Sequence, residues 1–508
     1  MTNIELREKP GVRRALPCGT RLPPTSLHAV SVSLPKLEDL VAYEEQRPEM
    51  LARVPSGYPR FHIHPFVTRL RLHAGEALGL GARDSAVVAS ERAARGVCAY
   101  AGLGAEVVHS FRDVWIVALP DDPDAAQRAR SYVQHTGSGI SSRRAEDLLV
   151  AEGVLEGRQQ EEEIESGDGA AVVRGVLAEA YGATPGHVHL GNFGMSAMNA
   201  VYRAVTAMFA PSDRKEWVQF GWLFMDTIET LRKFPPEGAP SHAIHSPLML
   251  GELEALLEAR PGRIAGVVTE TPSNPLLQTG DIARLRELCD RHGCALIIDA
   301  TLGTPYNVDV LPYADAVVES LTKYASGSAD LMLGAVIVNP AGGHAAALQE
   351  LVARELDAPY WRDAARLAWR IRGYAARMER VNANTMALAE LFASRPSVKR
   401  VRWAYQTESR RNYERIHRRP ASPGGLITLE LHMPLEAVYD RLELPKGPSL
   451  GAEFTLVGPY LYHAHYSLVR SAEGRSYLAS KGLDPNLLRV SAGIEETSEL
   501  IDAFAAVL

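Results

Sequence analysis

A lysine, an aspartate and two hydroxyl residues lie close together in the second half of the sequence, each near the end of a short apolar run. Lys323, Ser320 and Thr322 belong to the segment ESLTKY, and Asp299 ends the segment CALIID. A lysine amine can condense with a carbonyl group, a carboxylate can pair with a protonated nitrogen, and hydroxyl groups can bind a phosphate. Because open α/β sheets bind ligands at the carboxyl ends of their strands, we expect these groups to meet there.

Taken one at a time, these residues have ordinary explanations. Lys323 alone is most often a solvated surface charge, and Asp299 alone could cap the turn after its strand. A carboxylate at the end of an apolar run is nevertheless costly to bury unless a partner neutralises it. In combination the groups favour a site for pyridoxal phosphate (PLP), which needs a lysine, a carboxylate for its ring nitrogen, and hydroxyls and a helix N-terminus for its phosphate.

The elements that must position these residues follow a strand–helix–strand pattern. Residues 263–270 and 294–299 are almost continuously apolar, as in parallel strands that are covered on both faces. Residues 279–292 carry one apolar stripe, which predicts a helix that Thr279 caps and Gly293 ends. The sequence therefore predicts an α/β fold with a mainly parallel sheet. Further predicted elements are strands over 316–319 and 331–338 and a long helix over 360–393.

Four parts are predicted along the chain. A Pro-rich arm is expected to be disordered unless it packs on something, commonly another subunit. Short strands around a helix over 91–102 predict a small α/β insert. The last part mixes strands with a closing helix and fits a smaller α+β domain. The predicted boundaries are 1–75 for the arm, 76–165 for the insert and its linker, 166–395 for the large domain and 396–508 for the C-terminal domain.

Three polar segments receive an ordinary structural interpretation. Residues 161–169 are acidic and are interpreted as a solvated linker or helix start. Arg143 and Arg144 are interpreted as part of a solvated helix start. His463 and His465 alternate as on a strand, but two histidines without a third ligand favour ordinary packing over a metal site.

Composition excludes several classes of protein. The chain has 508 residues, of which 46% are hydrophobic and 23% charged, as in ordinary globular proteins. The net charge of −7 gives no basic face for nucleic acid or a membrane surface. The four cysteines form no CxxC pair, so neither a disulfide scaffold nor a structural zinc site is expected. With no signal-peptide core and no membrane-length apolar run, a cytoplasmic protein is expected.

From about residue 170 to the end, the sequence resembles the Cys/Met-metabolism family of PLP enzymes, which includes cystathionine γ-synthases, cystathionine γ-lyases and methionine γ-lyases. The motifs that carry the resemblance are ETPSNP, IIDATLGTP and ESLTKY, in the family's order. The resemblance implies a fold-type I PLP enzyme with a seven-stranded, mainly parallel sheet. It implies that Lys323 forms the Schiff base, that Asp299 pairs with the pyridine nitrogen and that Asn274 contacts the ring hydroxyl.

The same resemblance assigns the groups around the phosphate. Ser320 and Thr322 match the family's phosphate-binding hydroxyls, and Thr301 is counted with the cofactor-binding residues. Gly194 and Met195 in GNFGMSAMNAVYRAV match a Gly-Met pair at a helix start. This pair alone could be a tight turn beside a core methionine.

Further matches concern the substrate and a neighbouring subunit. Arg489 in LLRVSAGIE matches the arginine that binds the substrate α-carboxylate, and Ser449 lies beside it. Arg489 could otherwise belong to a structural ion pair, since a buried arginine needs a partner. Tyr58 and Arg60 resemble a Tyr-x-Arg that reaches the phosphate from the neighbouring subunit, with the following proline one residue further away than usual. A homodimer or homotetramer with shared sites is implied.

The N-terminal third indicates which members of the family the chain resembles most. Three of its segments resemble the long cystathionine γ-synthases typical of fungi, which have an insert between the Tyr-x-Arg arm and the Gly-Met helix. The composition, rich in Ala and Arg, would suit a bacterial genome equally well. The segments are HAVSVSLPKLEDLVAYEEQ, SGYPRFHIHP and QHTGSGISSRRAEDLL.

Two positions depart from the family pattern. Phe224 in QFGWLFMDT stands where the family usually has a tyrosine, so stacking on the ring is retained but the phenol is lost. Phe454 replaces a common acidic residue and is expected to make the distal substrate pocket more apolar. Without a phenol to protonate the leaving group, a carboxylate or halide is favoured over an alkoxide or thiolate. The alternative is that Tyr58, Tyr460 or Tyr462 supplies this proton.

The resemblance implies γ-replacement or γ-elimination on a γ-substituted amino acid, with Lys323 moving the α- and β-protons. The leading hypothesis is cystathionine γ-synthase-like replacement on an O-acylhomoserine with cysteine. An alternative is a specialised γ-lyase that forms an unsaturated amino acid, for example from a γ-halogenated substrate, or a 2-oxo acid. A catalytically silent structural or regulatory relative is the alternative from another class.

Overall fold

The computed structural model describes residues 14–55, 62–81, 83–160 and 162–508. The largest sheet has seven strands. The strand Gly334–Val338, second from one edge, runs antiparallel to its neighbours, and all other neighbouring pairs are parallel. The predicted α/β class and the seven-stranded, mainly parallel sheet are confirmed. The strands are Val188–Gly191, Gly334–Val338, Ala316–Ser320, Ala295–Asp299, Ile264–Glu270, Glu216–Phe220 and Ser241–Ile244.

Both faces of this sheet are buried, which is why its strands are apolar without alternation. Leu296 and Ile298 pack in one hydrophobic cluster, while Ile297 between them packs in another cluster on the opposite face. Each fully buried side chain of this size stabilises the fold by about 1.5–3 kcal/mol. The helices that accompany the sheet along the chain are Gly169–Tyr181, Gly194–Phe209, Met225–Lys233, Leu250–Ala259, Ile282–His292, Ala345–Glu355 and Trp361–Ile371.

The helix predicted over 279–292 begins later than expected. It spans Ile282–His292, and its N-cap is Asp281, whose carboxylate accepts a hydrogen bond from the Arg284 N–H at 3.2 Å. The prediction that Thr279 caps this helix is therefore wrong, because a closer carboxylate satisfies the free N–H groups. Gly293 ends the helix with φ of 64°, as predicted.

The single long helix predicted over 360–393 is two helices. Trp361–Ile371 and Tyr374–Ala393 are separated at Arg372 and Gly373. Glycine favours such a break because it is a poor helix former. The Arg377 guanidinium donates to the Arg370 carbonyl at 3.1 Å and so satisfies a carbonyl next to the break.

The C-terminal part contains a four-stranded antiparallel sheet. His463 and His465, which alternate as on a strand in sequence, lie on the helix Tyr460–Val469, and the strand interpretation is wrong. The sheet, in spatial order, is Val398–Arg402, Leu426–Leu431, Leu488–Ser491 and Leu456–Pro459. Its other helices are Arg410–Ile416, Leu435–Tyr439, Ala472–Ser480 and Thr497–Ala505.

The N-terminal arm packs on its own chain where it is described. Leu40 and Tyr43 of the helix Leu37–Glu44 join a hydrophobic cluster with Val457 and Leu488 of the C-terminal sheet. This contact provides the packing that the Pro-rich arm requires for order. The other elements of the arm are the paired strands Arg21–Leu22 and Ser31–Val32 and the helices Pro48–Leu51 and Pro65–Ala77.

The small α/β insert has the predicted strands and helix. Its three strands form an antiparallel sheet with Val114–Ala118 in the middle. None of the described helices of the chain is long and apolar enough to cross a membrane. The insert's other elements are the strands Ser85–Val88 and Val108–Phe111 and the helices Glu91–Ala101, Pro123–Thr136 and Ser142–Ala151. Short 3₁₀ turns are Ala105–Val107, Pro185–His187, Pro236–Gly238 and Leu311–Tyr313.

Two side chains within the polar segments are buried, contrary to the solvated positions expected from the sequence. The Arg143 side chain is 1% exposed and the Glu162 side chain 6% exposed, and they form an ion pair. Arg144, next along the helix, pairs with the more exposed Asp113. The helix start was predicted correctly, but the solvated surface was not, because the burying elements come from distant parts of the chain.

Gly334 allows its strand, Gly334–Val338, to lie close to the N-terminus of the helix Gly194–Phe209. A Cβ on Gly334 would lie 2.7 Å from the Gly194 Cα, a backbone atom that cannot move aside alone. We expect Gly334→Ala to lower the free energy of unfolding by about 1–3 kcal/mol, the usual cost of overpacking. Chemical denaturation measures this change.

Gly175→Ala is the matched control. No atom lies within 4 Å of the corresponding Cβ position, and Gly175 is inside the helix Gly169–Tyr181. This substitution should leave stability unchanged or raise it by up to about 1 kcal/mol. Equal stability of the two variants would contradict the close approach at Gly334.

Candidate active site

A cavity of about 1010 Å³ opens at the carboxyl ends of the parallel strands. Strands Ala295–Asp299 and Ile264–Glu270 deliver their last residues to it, as expected for ligand sites in open α/β sheets. Eleven of the residues that the sequence assigned to the cofactor or the substrate line this one cavity. They are Gly194, Met195, Phe224, Asn274, Asp299, Thr301, Ser320, Thr322, Lys323, Ser449 and Arg489.

Lys323 lies just after the strand Ala316–Ser320 and is 8% exposed. Its Nζ donates a hydrogen bond to the Ser449 hydroxyl at 2.7 Å. Burial, helped by the positive charge of Arg489, lowers the pKa of Lys323 to about 7. The amine is therefore neutral in a large fraction of molecules near neutral pH, the state in which it acts as a nucleophile or base.

Ser449 holds an unusual backbone conformation in contact with this lysine. Its φ is 89°, a value that non-glycine residues rarely adopt and that costs about 1–3 kcal/mol. Such strain is typical of functional sites. Here it brings the Ser449 hydroxyl to Lys323 and the Ser449 carbonyl to Arg489, whose Nη2 donates to it at 2.8 Å.

Two carboxyl groups end neighbouring strands beside the cavity. Asp299 and Glu270 are register partners in the parallel pair. Burial raises the pKa of Asp299, which accepts a hydrogen bond from the Thr301 N–H at 2.9 Å. Burial, followed by the charge of Asp299, raises the pKa of Glu270 well above its usual value, and the Phe224 N–H donates to this side chain. A cationic ring nitrogen beside Asp299 would offset its burial.

Glu270 was not selected from the sequence. The available signal was that the motifs ETPSNP and IIDATLGTP both place an acidic residue at the end of an apolar run. Only the register of the two strands shows that the carboxyl groups are neighbours.

A helix N-terminus and three hydroxyls at the strand ends line one part of the cavity and form a cradle. Gly194 and Met195 begin the 16-residue helix Gly194–Phe209, whose N-terminus attracts anions. A Cβ on Gly194 would lie 2.8 Å from the Ser320 Oγ, so the close approach requires glycine. Thr301 Oγ1 accepts from the Ser320 N–H at 2.9 Å, and Thr322 Oγ1 accepts from the Leu333 N–H at 3.3 Å. This cradle fits a phosphate.

Arg489 comes from the strand Leu488–Ser491 of the C-terminal sheet and is 7% exposed. Besides Ser449, its guanidinium donates to the Asn274 side-chain oxygen at 3.4 Å. The Arg489 Cζ lies 4.8 Å from the centre of the Tyr460 ring, a cation–π distance. A guanidinium held this way in a cavity can bind a carboxylate through two hydrogen bonds.

Aromatic residues differ in their relation to the cavity. Phe224 lines it at the start of the helix Met225–Lys233. Tyr460 also lines it, whereas Tyr462 does not. Phe454 does not line it either and packs with Leu22 in a separate hydrophobic cluster. Its expected contact with the substrate stays a prediction.

Several cavity residues were not assigned from the sequence. His463 lines the cavity, and burial lowers its pKa to about 3, while His465 accepts a hydrogen bond from Trp222 at 3.2 Å. Residues of the arm and insert, including His28 and His135, also line it. Both histidines lie in segments that resemble the long cystathionine γ-synthases, but that resemblance alone did not indicate that they line the cavity. Tyr58 and Arg60, the expected contacts to a neighbouring subunit, lie outside the described residues.

The fold and these groups define a PLP-dependent enzyme of fold type I. The family model described as "Cys/Met metabolism PLP-dependent enzyme" matches residues 175–508. The chain belongs to this family, and PLP is its cofactor.

Two similar proteins cover almost the whole chain. An "L-2-amino-4-chloropent-4-enoate dechlorinase/desaturase" from Streptantibioticus cattleyicolor is 45% identical over 489 residues, which cover 96% of this chain and 97% of the relative. A cystathionine γ-synthase from Neurospora crassa is 30% identical, with 96% and 97% covered. The chain is thus an enzyme of the group that performs γ-elimination or γ-replacement on amino acids.

Solved structures support the fold alone. A cystathionine γ-lyase from Lactobacillus plantarum is 20% identical with a TM-score of 0.58, covering 68% of this chain and 90% of that one. A cystathionine γ-synthase from Xanthomonas oryzae pv. oryzae is 24% identical with a TM-score of 0.57, covering 67% and 85%.

The lowered pKa of Lys323 predicts how PLP uptake depends on pH. Only the neutral amine attacks an aldehyde, so the rate at which cofactor-free protein takes up PLP should rise through pH about 7 and then level off. Arg489→Met removes a positive neighbour, raises the pKa of Lys323 and should move the midpoint to higher pH. Stopped-flow absorbance of the lysine-bound cofactor measures the rate.

Arg470→Met, at an exposed position of the same part of the chain, is the control and should leave the midpoint unchanged. A wild-type midpoint close to the ordinary lysine value of about 10.4 would contradict the prediction. An unchanged midpoint in Arg489→Met would remove Arg489 as a cause.

Proposed function

We propose that this enzyme eliminates halide from the γ carbon of a small amino acid and forms an unsaturated product. The observation that carries the proposal is the 45% identical relative, which aligns over nearly the full length of both chains. Its name specifies chlorine on C4 of a 2-amino acid, and C4 is the γ carbon. Loss of HCl breaks the C4–Cl bond and one C–H bond, releases chloride and leaves a proton on a base.

The cofactor is held by the residues at the strand ends and the helix start. When bound, PLP supplies an aldehyde for the substrate amine and a ring that withdraws electrons from Cα. Asp299 would pair with the ring nitrogen, Phe224 would stack on the ring and Asn274 would contact the ring hydroxyl. Gly194, Met195, Thr301, Ser320 and Thr322, which all line the cavity, would hold the phosphate.

Arg489 binds the α-carboxylate of the substrate. The Asn274 oxygen and the Ser449 carbonyl, which accept hydrogen bonds from it, are neutral, and a carboxylate is a stronger acceptor than either. This contact orients Cα and the side chain of the substrate in the cavity. The ring of Tyr460 supports the guanidinium from one side.

Lys323 is the base that moves protons. Its lowered pKa keeps the free amine ready to accept a proton from Cα and then from Cβ. Ser449 accepts the hydrogen bond of the amine at 2.7 Å and so orients Nζ. A single flexible amine can reach both carbons because they are adjacent.

The cavity suits a leaving group that departs as a stable anion. Chloride needs no proton, whereas a thiolate or alkoxide depends on a general acid, an effect worth roughly a hundredfold or more. Phe224 offers no acidic hydrogen. Among the described residues, Tyr460 is the tyrosine that lines the cavity, but its ring lies against Arg489.

The proposal is tested by the products formed from L-2-amino-4-chloropent-4-enoate and a saturated γ-chloro amino acid, with and without cysteine. We expect chloride release and an unsaturated amino acid without any thiol, and loss of both in Lys323→Ala. Ion chromatography and mass spectrometry measure the two products. Lys215→Ala, at a surface ion pair, is the control.

A second candidate is γ-replacement of the cystathionine γ-synthase type. The 30% identical Neurospora crassa relative favours it, and it was the leading hypothesis from the sequence. Turnover of an O-acylhomoserine only when cysteine is present, with no chloride released from the chloro amino acids, would establish this candidate and exclude the first.

Phe224→Tyr tests the leaving-group argument. We expect the wild type to have a higher kcat/KM for γ-chloro than for thioether substrates. A phenol at position 224 should raise kcat/KM for the thioether by roughly tenfold or more and leave the chloro substrate little changed.

Phe209→Tyr adds a phenol at the far end of the helix Gly194–Phe209 and serves as the control. A wild type that already prefers the thioether would show that another residue supplies the proton.

The proposal includes an assembly of at least two chains in the cytoplasm. It rests on the resemblance of Tyr58 and Arg60 to a Tyr-x-Arg that reaches a neighbouring site. The family resemblance favours a homodimer or homotetramer.

A further inference from the structure

The loop that follows Lys323 is held by groups from four distant segments. Between the strands Ala316–Ser320 and Gly334–Val338 it runs without regular structure. Six of its carbonyls accept hydrogen bonds from outside the loop. The bonds are Arg377 Nη1 to Tyr324 and Ala325 (3.0 and 3.2 Å), Arg370 Nε to Ser326 (3.2 Å), Glu453 N to Gly327 (2.8 Å), Val30 N to Ala329 (2.9 Å) and Arg143 Nη1 to Asp330 (2.6 Å).

Arg143 is the insert residue that donates a hydrogen bond to this loop. It lies on the helix Ser142–Ala151, 187 residues before Asp330, and its side chain is 1% exposed. Besides the Asp330 carbonyl, Nη1 donates to the Asp363 carboxylate at 3.1 Å, and Nε donates to the Glu162 carboxylate at 3.0 Å. One guanidinium thus joins the insert, the linker and the Lys323 loop.

The far end of the loop is coupled to its beginning. Leu333 donates its N–H to Thr322 Oγ1 at 3.3 Å, and Met332 lines the cavity. A shift of Asp330 would therefore move Leu333 and change the support of Thr322, the residue before Lys323. Arg366 holds the Asp330 carboxylate at 3.0 Å, but only Arg143 bonds its carbonyl among the hydrogen bonds of the described residues.

We propose that Arg143 is a positioning residue of the active site, through which the insert fixes the loop that carries Thr322 and Lys323. The insert would then help to bind the cofactor by positioning this loop, although its residues are distant from the loop in sequence. The proposal concerns the hold on PLP and is independent of which γ-substituent leaves.

A purely structural role must be distinguished from positioning, since removal of any buried charge destabilises a fold. Arg362 provides the matched control. Its side chain is 2% exposed and donates to Glu162 at 2.8 Å, as part of the same buried ion network. Its other partners are Glu146, Asp147 and His28, and none of these belongs to the Lys323 loop.

The experiment compares holoenzymes of wild type, Arg143→Met and Arg362→Met. Thermal unfolding of each protein reports the general cost of removing the charge. The dissociation constant of PLP and the pH midpoint of the absorbance band of the lysine-bound cofactor report the position of the loop.

We expect both variants to unfold at lower temperature than wild type, and only Arg143→Met to bind PLP about tenfold or more weakly and to shift the pH midpoint, because it alone loses a charge-assisted bond to the loop. Equal PLP affinity and equal pH midpoints in the two variants would overturn the proposal.

A second pair covers the case in which Arg143→Met does not fold. Arg143→Lys keeps the positive charge beside Glu162, but a single ammonium cannot reproduce the planar set of donors that serves Glu162, Asp363 and the Asp330 carbonyl together. We expect weaker PLP binding in Arg143→Lys than in Arg362→Lys. Equal affinity in this pair would refute the positioning role.

Discussion

The site depends on keeping an amine neutral inside a cavity that also contains a fixed positive charge. Burial removes the water that would stabilise the Lys323 ammonium, and the nearby Arg489 guanidinium adds repulsion, so the pKa falls to about 7. In the proposed function, the same guanidinium binds the substrate α-carboxylate. One arginine would then both lower the pKa of the lysine and orient the substrate beside it.

The positions of Lys323 and Arg489 must be coordinated, because the two residues belong to different sheets. Lys323 follows a strand of the seven-stranded sheet, whereas Arg489 lies on the C-terminal sheet. Ser449 connects them, with its hydroxyl on the lysine and its carbonyl on the arginine. The strained φ of 89° at Ser449 is the local cost of serving both partners at once.

Two carboxyl groups also line the cavity. Asp299 and Glu270 end adjacent strands, and burial raises the pKa of both. Two buried neighbouring carboxyl groups favour retaining a proton or accepting a nearby cation. Together with the helix N-terminus at Gly194, which attracts anions, they give the cavity groups suited to both a cation and a phosphate.

The sequence by itself determined the fold class, the strands that carry the chemistry and the grouping of Asp299, Ser320, Thr322 and Lys323, because apolar runs that end in polar residues are local signals. The other seven of the eleven cavity residues were assigned through the resemblance to the Cys/Met-metabolism family. Only the tertiary structure decided which charges are buried. The local pattern predicts that Arg143 and Glu162 are solvated. They are buried because Asp330, Arg362 and Asp363 contact them from parts of the chain 187 to 220 residues away. Phe454 packs outside the cavity, and Glu270 lies beside Asp299, for the same reason. Burial and strand register depend on contacts between distant segments, so they cannot be predicted from one segment alone.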